Sequence, residues 1–310
     1  MKKFILHLLI IVSISCSSQE SIIVKKEKID WKNYKGLFQD AEQTQFKAQF
    51  KFLQNVKLYE ITYLSDSLEI QSFATFPKKE GKYPVIIFNR GGNRDFGALS
   101  LTKEKHKLFF PPMFSKITNN DYIVIGCNYR ESGKSEGKDE FGGKDVNDVL
   151  NLLKVVKEFP KADTTRIGMY GWSRGGMMTY LSLTKTSKIK TAIIGGAPTD
   201  LTIIDRADME VNVYAPLIPN YWKNKQEELK KRSALYFANK FPKNIPLLIL
   251  HGDADKRVNV SSPIKLSKEL DKYNIPYRLK IYKEGNHGLT KNKKEVNREV
   301  LDWFQKHLRN

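Results

Sequence analysis

Cysteine is nearly absent: the 310 residues carry two, Cys16 and Cys127. With Cys16 at the end of a leader, one remains in the folded part, so an intrachain disulfide framework is excluded. Cys127, inside the apolar run Tyr122 to Cys127, reads as a small buried hydrophobe. Acidic residues are short too, 34 against 53 Lys and Arg, a formal net charge of +19. Such an excess invites a polyanionic partner. It is dispersed, however. The runs Lys25, Lys26, Lys28 and Lys291, Lys293, Lys294 are short, and no aromatic-basic motif of the kind that stacks bases occurs, so no nucleic-acid partner is expected. No His, Cys and acid cluster has metal-ligand spacing. The Gly-rich stretch 133–143 lacks the lysine of a phosphate loop. Neither metal nor cofactor is expected. With no internal repeat, 40% hydrophobic and 28% charged residues, the chain is not collagen-like, coiled-coil or wholly disordered.

Long apolar runs are scarce as well. Phe4 to Ile14, behind Met1-Lys2-Lys3, is too short to span a membrane as a mature helix and has the layout of an export signal, residues 1–15. Ser13-Ile14-Ser15-Cys16 resembles a bacterial lipoprotein box, with the small Ser15 in place and Ser13 where Leu is usual. The resemblance implies an exported protein, lipidated on Cys16 and held on a membrane of the bacterial cell envelope; cleavage nearby and release into the periplasm or medium is the alternative. Residues 16–55 read as a tether leading into a helical N-terminal arm, and residues 56–310 as the main domain.

In that domain the apolar period changes. Val56 to Leu64 and Leu68 to Phe76, separated by Ser65-Asp66-Ser67, read as a hairpin. From Tyr83 onward strands alternate with helical stripes: Val85 to Asn89, Tyr122 to Asn128, Arg166 to Tyr170, Thr191 to Gly195, Pro246 to Leu250 and Tyr277 to Tyr282. This is the signature of an α/β fold with a mostly parallel sheet covered by helices. The connection 198–245 is far longer than such a link requires and reads as a cap insertion. Its Tyr214, Tyr221 and Trp222, stiffened by Pro216 and Pro219, are of the type that walls a substrate pocket.

Gly171-Trp172-Ser173-Arg174-Gly175 is a G-x-S-x-G pattern between a strand and a helix, the context in which a serine is exposed as a nucleophile on a strained turn. The main-chain N–H of Arg174 is then aimed at a developing oxyanion, with its side chain at the surface. A serine needs a base, and the usual base is histidine. Of the five histidines, His7 lies in the leader, His106 in a polar loop, His251 at a strand end and His307 on the last amphipathic helix. His287, in Glu284-Gly285-Asn286-His287-Gly288, follows a strand and precedes that helix, where such folds place chemistry. For the acid, Asp253 and Asp255 follow the strand ending at Leu250, with Asp200 as an outside candidate. Spacing favours Asp255, and Asp253 then reads as a turn former bonded to its own loop.

The Gly171 to Gly175 elbow, the segment His251-Gly252-Asp253-Ala254-Asp255-Lys256-Arg257-Val258, the Gly285-Asn286-His287-Gly288 end and Asn128-Tyr129-Arg130-Glu131-Ser132-Gly133 resemble the α/β-hydrolase catalytic domain of the prolyl oligopeptidase family and its single-domain esterase relatives. The resemblance covers roughly residues 56–309. It implies Ser173 as nucleophile, Asp255 as acid and His287 as base of a serine hydrolase acting on small molecules or short peptides, with an esterase as the first reading and an aminopeptidase-like, prolyl oligopeptidase-like exopeptidase or amide hydrolase as the alternative. The family's large N-terminal propeller is not expected here. Where many relatives carry His-Gly-Gly, this chain has Asn89-Arg90-Gly91-Gly92-Asn93, whose glycines leave Gly92 as the second oxyanion donor beside Arg174. Tyr129 and Arg130 are expected to be structural, pairing an acid under the sheet. From another class, the alternative is a non-catalytic basic protein that binds envelope polyanions.

Overall fold

The structure, a computed structural model, describes residues 20–101, 108–109 and 112–309; Cys16 and the rest of the leader lie outside the described residues. The segment expected to be a helical arm supplies a strand instead, β1 (Ile23–Ile29), paired antiparallel with β2 (Val56–Ser65). Its sequence Ile-Val-Lys-Lys-Glu-Lys-Ile hides this, because an edge strand with solvent on both sides shows no apolar alternation. Lys26 lies 4.9 Å over the Tyr59 ring, so even its apolar stem covers the neighbouring strand. Short 3-10 turns follow and close a small core of Tyr34, Leu37, Phe38 and Leu53.

The expected hairpin joins β2 to β3 (Leu68–Pro77), with Ser65 opposite Leu68. Asp66 and Ser67 both take positive φ, 51° and 67°, the twist that a two-residue turn between right-twisted strands requires. Then come β4 (Tyr83–Asn89), a two-stranded pair β5 and β6 (Ser100–Leu101, Leu108–Phe109), α1 (Pro112–Thr118), β7 (Ile123–Cys127), α2 (Val146–Lys157), β8 (Ala162–Trp172), α3 (Arg174–Leu183) and β9 (Ile189–Gly195). The connection after β9 carries α4 (Ala207–Met209), a π-helical turn Glu210–Tyr214, α5 (Ala215–Leu217), α6 (Tyr221–Lys231) and two 3-10 turns. Last are β10 (Leu247–Gly252), α7 (Ser261–Lys272), β11 (Tyr277–Tyr282) and α8 (Lys293–Leu308).

Among the described residues nine strands form one sheet in the order β1-β2-β3-β7-β4-β8-β9-β10-β11, antiparallel up to β7 and parallel beyond it. Every residue of β4 and β7 is buried, which is why both read as unbroken apolar runs: helices cover both faces. One face packs on α2, α3 and α7 through Val149, Leu152, Met178 and Leu266. The other packs on α1 and α8 through Phe114, Val300, Trp303 and Phe304. From β4 the chain crosses to β7 on one side, then back past β4 to β8 on the other. Such a switch opens a crevice at the carboxyl ends of these strands.

Candidate active site

Ser173 stands directly after β8, at φ 56° and ψ −124°, a region that costs a non-glycine residue about 1–3 kcal/mol. The turn is paid for by packing: its N–H donates to the Gly195 carbonyl on β9 at 2.8 Å, and α3 starts one residue later. A Cβ on Gly175 would lie 1.9 Å from the Asn89 carbonyl oxygen at the end of β4, so only glycine lets the helix approach that strand. Among the described residues the Arg174 N–H, first of the α3 donors, has no intramolecular acceptor.

The sheet brings Asp255, after β10, and His287, after β11, together across neighbouring strands: His287 Nδ1 and Asp255 Oδ2 are 2.8 Å apart. Asp255 Oδ1 accepts the N–H groups of Arg257 (2.8 Å) and Val258 (3.0 Å). The loop-bonding carboxylate expected at Asp253 is therefore Asp255 itself, and Asp253 is exposed. Burial pushes the Asp255 carboxyl up, but the imidazole and the two N–H groups outweigh it and hold it below the usual carboxylate range. Asp200, the outside candidate, spends Oδ1 on Thr202 N (3.0 Å) and Oγ1 (2.6 Å) in its own turn. On the other side of His287, the Trp172 indole donates to the His287 carbonyl at 2.9 Å, so the residue before Ser173 pins the histidine loop.

His251, a strand end by its sequence, lies beside this pair. Its Nε2 donates to the Val258 carbonyl at 2.9 Å and stands 3.5 Å from Asp255 Oδ2. Burial lowers its pKa, so it is held neutral. The signal was available in the spacing, because His251 and Asp255 bracket one tight loop at the end of β10.

Ser173 and His287 open on a cleft of about 950 Å³, which Gly91, Gly92 and Arg174 also line. Its far wall comes from the insertion, through Leu201, Ile204, Met209 and Tyr214. Of the three aromatics expected there, only Tyr214 is in place, its ring 5.3 Å from that of Phe141. Tyr221 is buried at the start of α6 with its hydroxyl donating to Glu210 Oε1 at 2.7 Å, and Trp222 is 71% exposed. Neither lines the cleft: α6 is a separate helix, reached through Ile218 in extended backbone and Asn220 in the left-handed region.

The Arg174 side chain corrects a second expectation. It is buried beneath α3, not at the surface, with side-chain exposure of 3%. Asp139 takes both its terminal nitrogens at 2.6 Å, and Asp145 takes one at 2.7 Å. The rings of Tyr129 (5.0 Å) and Phe141 (4.7 Å) stack on the guanidinium. Arg130 pairs with the fully buried Asp148 at 2.7 Å, as expected of a structural residue.

The chain matches the prolyl oligopeptidase family over residues 110–310. It belongs to that family. This prolyl oligopeptidase-family protein is 25% identical over 256 residues to the Bacillus subtilis protein named "Uncharacterized peptidase YtmA", covering 81% of this chain and 95% of that one. It is 27% identical over 216 residues to human dipeptidyl peptidase 8, where the match covers 67% of this chain and 23% of the relative. In fold it is similar to Pyrococcus horikoshii acylaminoacyl peptidase, with a TM-score of 0.70 and 22% identity over 84% of this chain and 43% of that one. Porphyromonas gingivalis dipeptidyl peptidase 4 superposes with a TM-score of 0.65 and 22% identity, over 80% of this chain and 35% of that one. Thus the family member spans nearly all of one curated relative and under half of the larger peptidases. The fold is an α/β-hydrolase fold and the chemistry that of a serine hydrolase.

Proposed function

We propose that this protein hydrolyses amide or ester bonds of short acyl substrates through an acyl-enzyme, with Ser173 as nucleophile, His287 as base and Asp255 as the acid that orients it. The 2.8 Å contact between His287 and Asp255 carries the reading, since it fixes the imidazole tautomer beside a strained serine in the same cleft. Ser173 Oγ attacks the carbonyl and its proton passes to His287 Nε2. The N–H groups of Arg174 and Gly92 receive the oxyanion. The leaving amine or alcohol takes the proton from His287, and water, deprotonated by the same base, releases the acid. Relatives named as peptidases support the amide arm. The ester arm follows from the chemistry, because an alkoxide is the easier leaving group for the same machinery.

Export and a lipid anchor on Cys16 belong to the same proposal and rest on the sequence of residues 1–18 alone. The expected test result is a full-length protein in the detergent phase and a Cys16→Ala variant released or left with an uncut leader. A wild type wholly soluble in the periplasm or medium refutes the anchor and leaves the hydrolase intact.

Fluorophosphonate labelling of wild type against Ser173→Ala, with turnover of p-nitrophenyl esters and peptide p-nitroanilides, tests the enzyme. Label and turnover should vanish together in the folded variant. Turnover that survives Ser173→Ala sinks the assignment, and a wild type that is never labelled favours the basic binding protein.

A further inference from the structure

Two buried guanidinium groups lie behind the cleft and take no part in the triad. Arg174 Nη1, besides holding Asp139, donates to the Gly92 carbonyl at 3.2 Å. Asp139 Oδ2 in turn accepts the Arg94 N–H at 3.2 Å. From the other side, Arg90 Nη1 donates to the carbonyls of Gly91 (3.1 Å) and Phe96 (3.3 Å), and Nη2 to that of Arg94 (2.8 Å). Arg90 is 1% exposed and its hydrogen bonds go to carbonyl groups, not carboxylates, a costly place for a cation unless the loop needs it.

The loop they grip is residues 91–97, which opens with the nominated oxyanion donor. Gly92 has φ +77°, and a Cβ there would lie 1.8 Å from the Phe96 carbonyl oxygen, so the loop doubles back on glycine alone. In a planar trans peptide the N–H points opposite to the carbonyl before it. With the Gly91 carbonyl held by Arg90, the Gly92 N–H is turned away from that guanidinium. With the Gly92 carbonyl held by Arg174, the next peptide plane is fixed as well. No sheet ladder holds this segment, and its tip, Phe96, is 67% exposed.

We propose that the Arg174 side chain, through the Gly92 carbonyl and Asp139, is the positioning group of the oxyanion hole. It locks loop 91–97 to the start of α3, so that the N–H groups of Gly92 and Arg174 keep one separation. The same residue supplies one donor from its main chain and sets the other with its side chain. This rests on the reading of Ser173 as nucleophile and Gly92 as second donor. Donors must sit about 2.7–3.1 Å from the oxyanion. A misplacement of about 1 Å costs on the order of a hundredfold in rate.

Arg174→Lys keeps the main-chain N–H and a positive charge but lacks the fork that reaches Gly92 and Asp139 together. Asp139→Asn keeps size and leaves the Arg174 to Asp145 pair in place, so it serves if the lysine variant does not fold. Each is compared with wild type for kcat and KM on a p-nitrophenyl ester per fluorophosphonate-titrated site, for Ki of an aryl trifluoromethyl ketone, and for Tm. The ketone adds Ser173 Oγ to its carbonyl, and the resulting oxyanion occupies the hole. Both variants should lose about ten- to a hundredfold in kcat with KM within about twofold, and Ki should rise by the factor that kcat/KM falls. Arg130→Lys, which disturbs the separate buried pair with Asp148, should lower Tm and leave Ki alone. If Arg174→Lys and Asp139→Asn lower only Tm and the number of titrated sites, with kcat per site and Ki unchanged, the positioning role is refuted and the nucleophile reading stands. If wild type takes no label, or Ser173→Ala still turns over, both fall.

Discussion

At the scale of single residues, the chemistry lies in side chains held against their own preferences. Ser173 stays at φ 56° only because β9 and α3 fix both its neighbours. Ser173→Gly should therefore raise stability by about 1 kcal/mol as it ends turnover, seen as a higher Tm than that of Ser173→Ala. Asp255→Asn leaves one oxygen for its loop but presents the wrong partner to the imidazole, and kcat should fall by about 10⁴-fold. Asp253→Asn, on an exposed side chain, should change little. Equal losses in the two would overturn the choice between them. The positions of Ser173 and His287 at one end of the sheet were legible because each lies in a short motif at a strand end, where local spacing carries the meaning. The buried state of Arg174 was not: its partners Asp139 and Asp145 lie about 30 residues upstream, in a Gly-rich loop without a period, and only the fold brings them under α3. His251 differs, since its spacing of four from Asp255 around one tight loop is local, and only the inward turn of its ring needs the fold.

Among the elements, the parallel strands were readable because two-sided burial leaves continuous apolar runs, and the helices because one-sided burial leaves stripes. An edge strand leaves neither mark, which is why the β1 segment reads in sequence as part of a helical arm. The insertion was legible as an excess of chain, but its faces were not. Ile218 in extended backbone and Asn220 at φ 56° separate α5 from α6, so aromatics that look equivalent in sequence sit on different helices, Tyr214 at the cleft and Trp222 exposed. The two sides should separate in function. Tyr214→Ala, which opens the far wall, should change relative kcat/KM across esters of increasing acyl length by about tenfold. Trp222→Ala, at the exposed outer side, should leave that profile and the Tm within error. A profile that moves with Trp222 and not with Tyr214 would mean that substrates meet the insertion from its other face.

For the whole molecule, the sheet puts the groups of the site at one edge and buries the Arg174–Asp139 and Arg130–Asp148 pairs, and this arrangement ties stability to pH. His251, buried and neutral, has a pKa below its usual value, so the unfolded chain binds a proton that the folded chain resists. Stability should therefore be fully present above the unfolded imidazole value of about 6.5 and decline as pH falls below it, until the folded imidazole itself takes the proton. Asp255 and Asp139 follow at lower pH. Burial alone would raise both carboxyl groups, but His287 and the loop N–H groups hold Asp255 down and Arg174 holds Asp139 down. Each contributes stability above the unfolded value near about 3.9, lost as pH falls through its lower folded value. The curve should thus have two steps, a shallow one in the histidine range and a steep one in the acid range. Thermal melts of wild type and His251→Gln between about pH 8 and about pH 5 separate them: the glutamine variant should lose much of the upper slope, leaving what the half-buried His307 contributes. It should keep the acid step, which belongs to the carboxylates. An unchanged upper slope in His251→Gln would place the proton-linked loss elsewhere and deny His251 its neutral, buried state beside the triad.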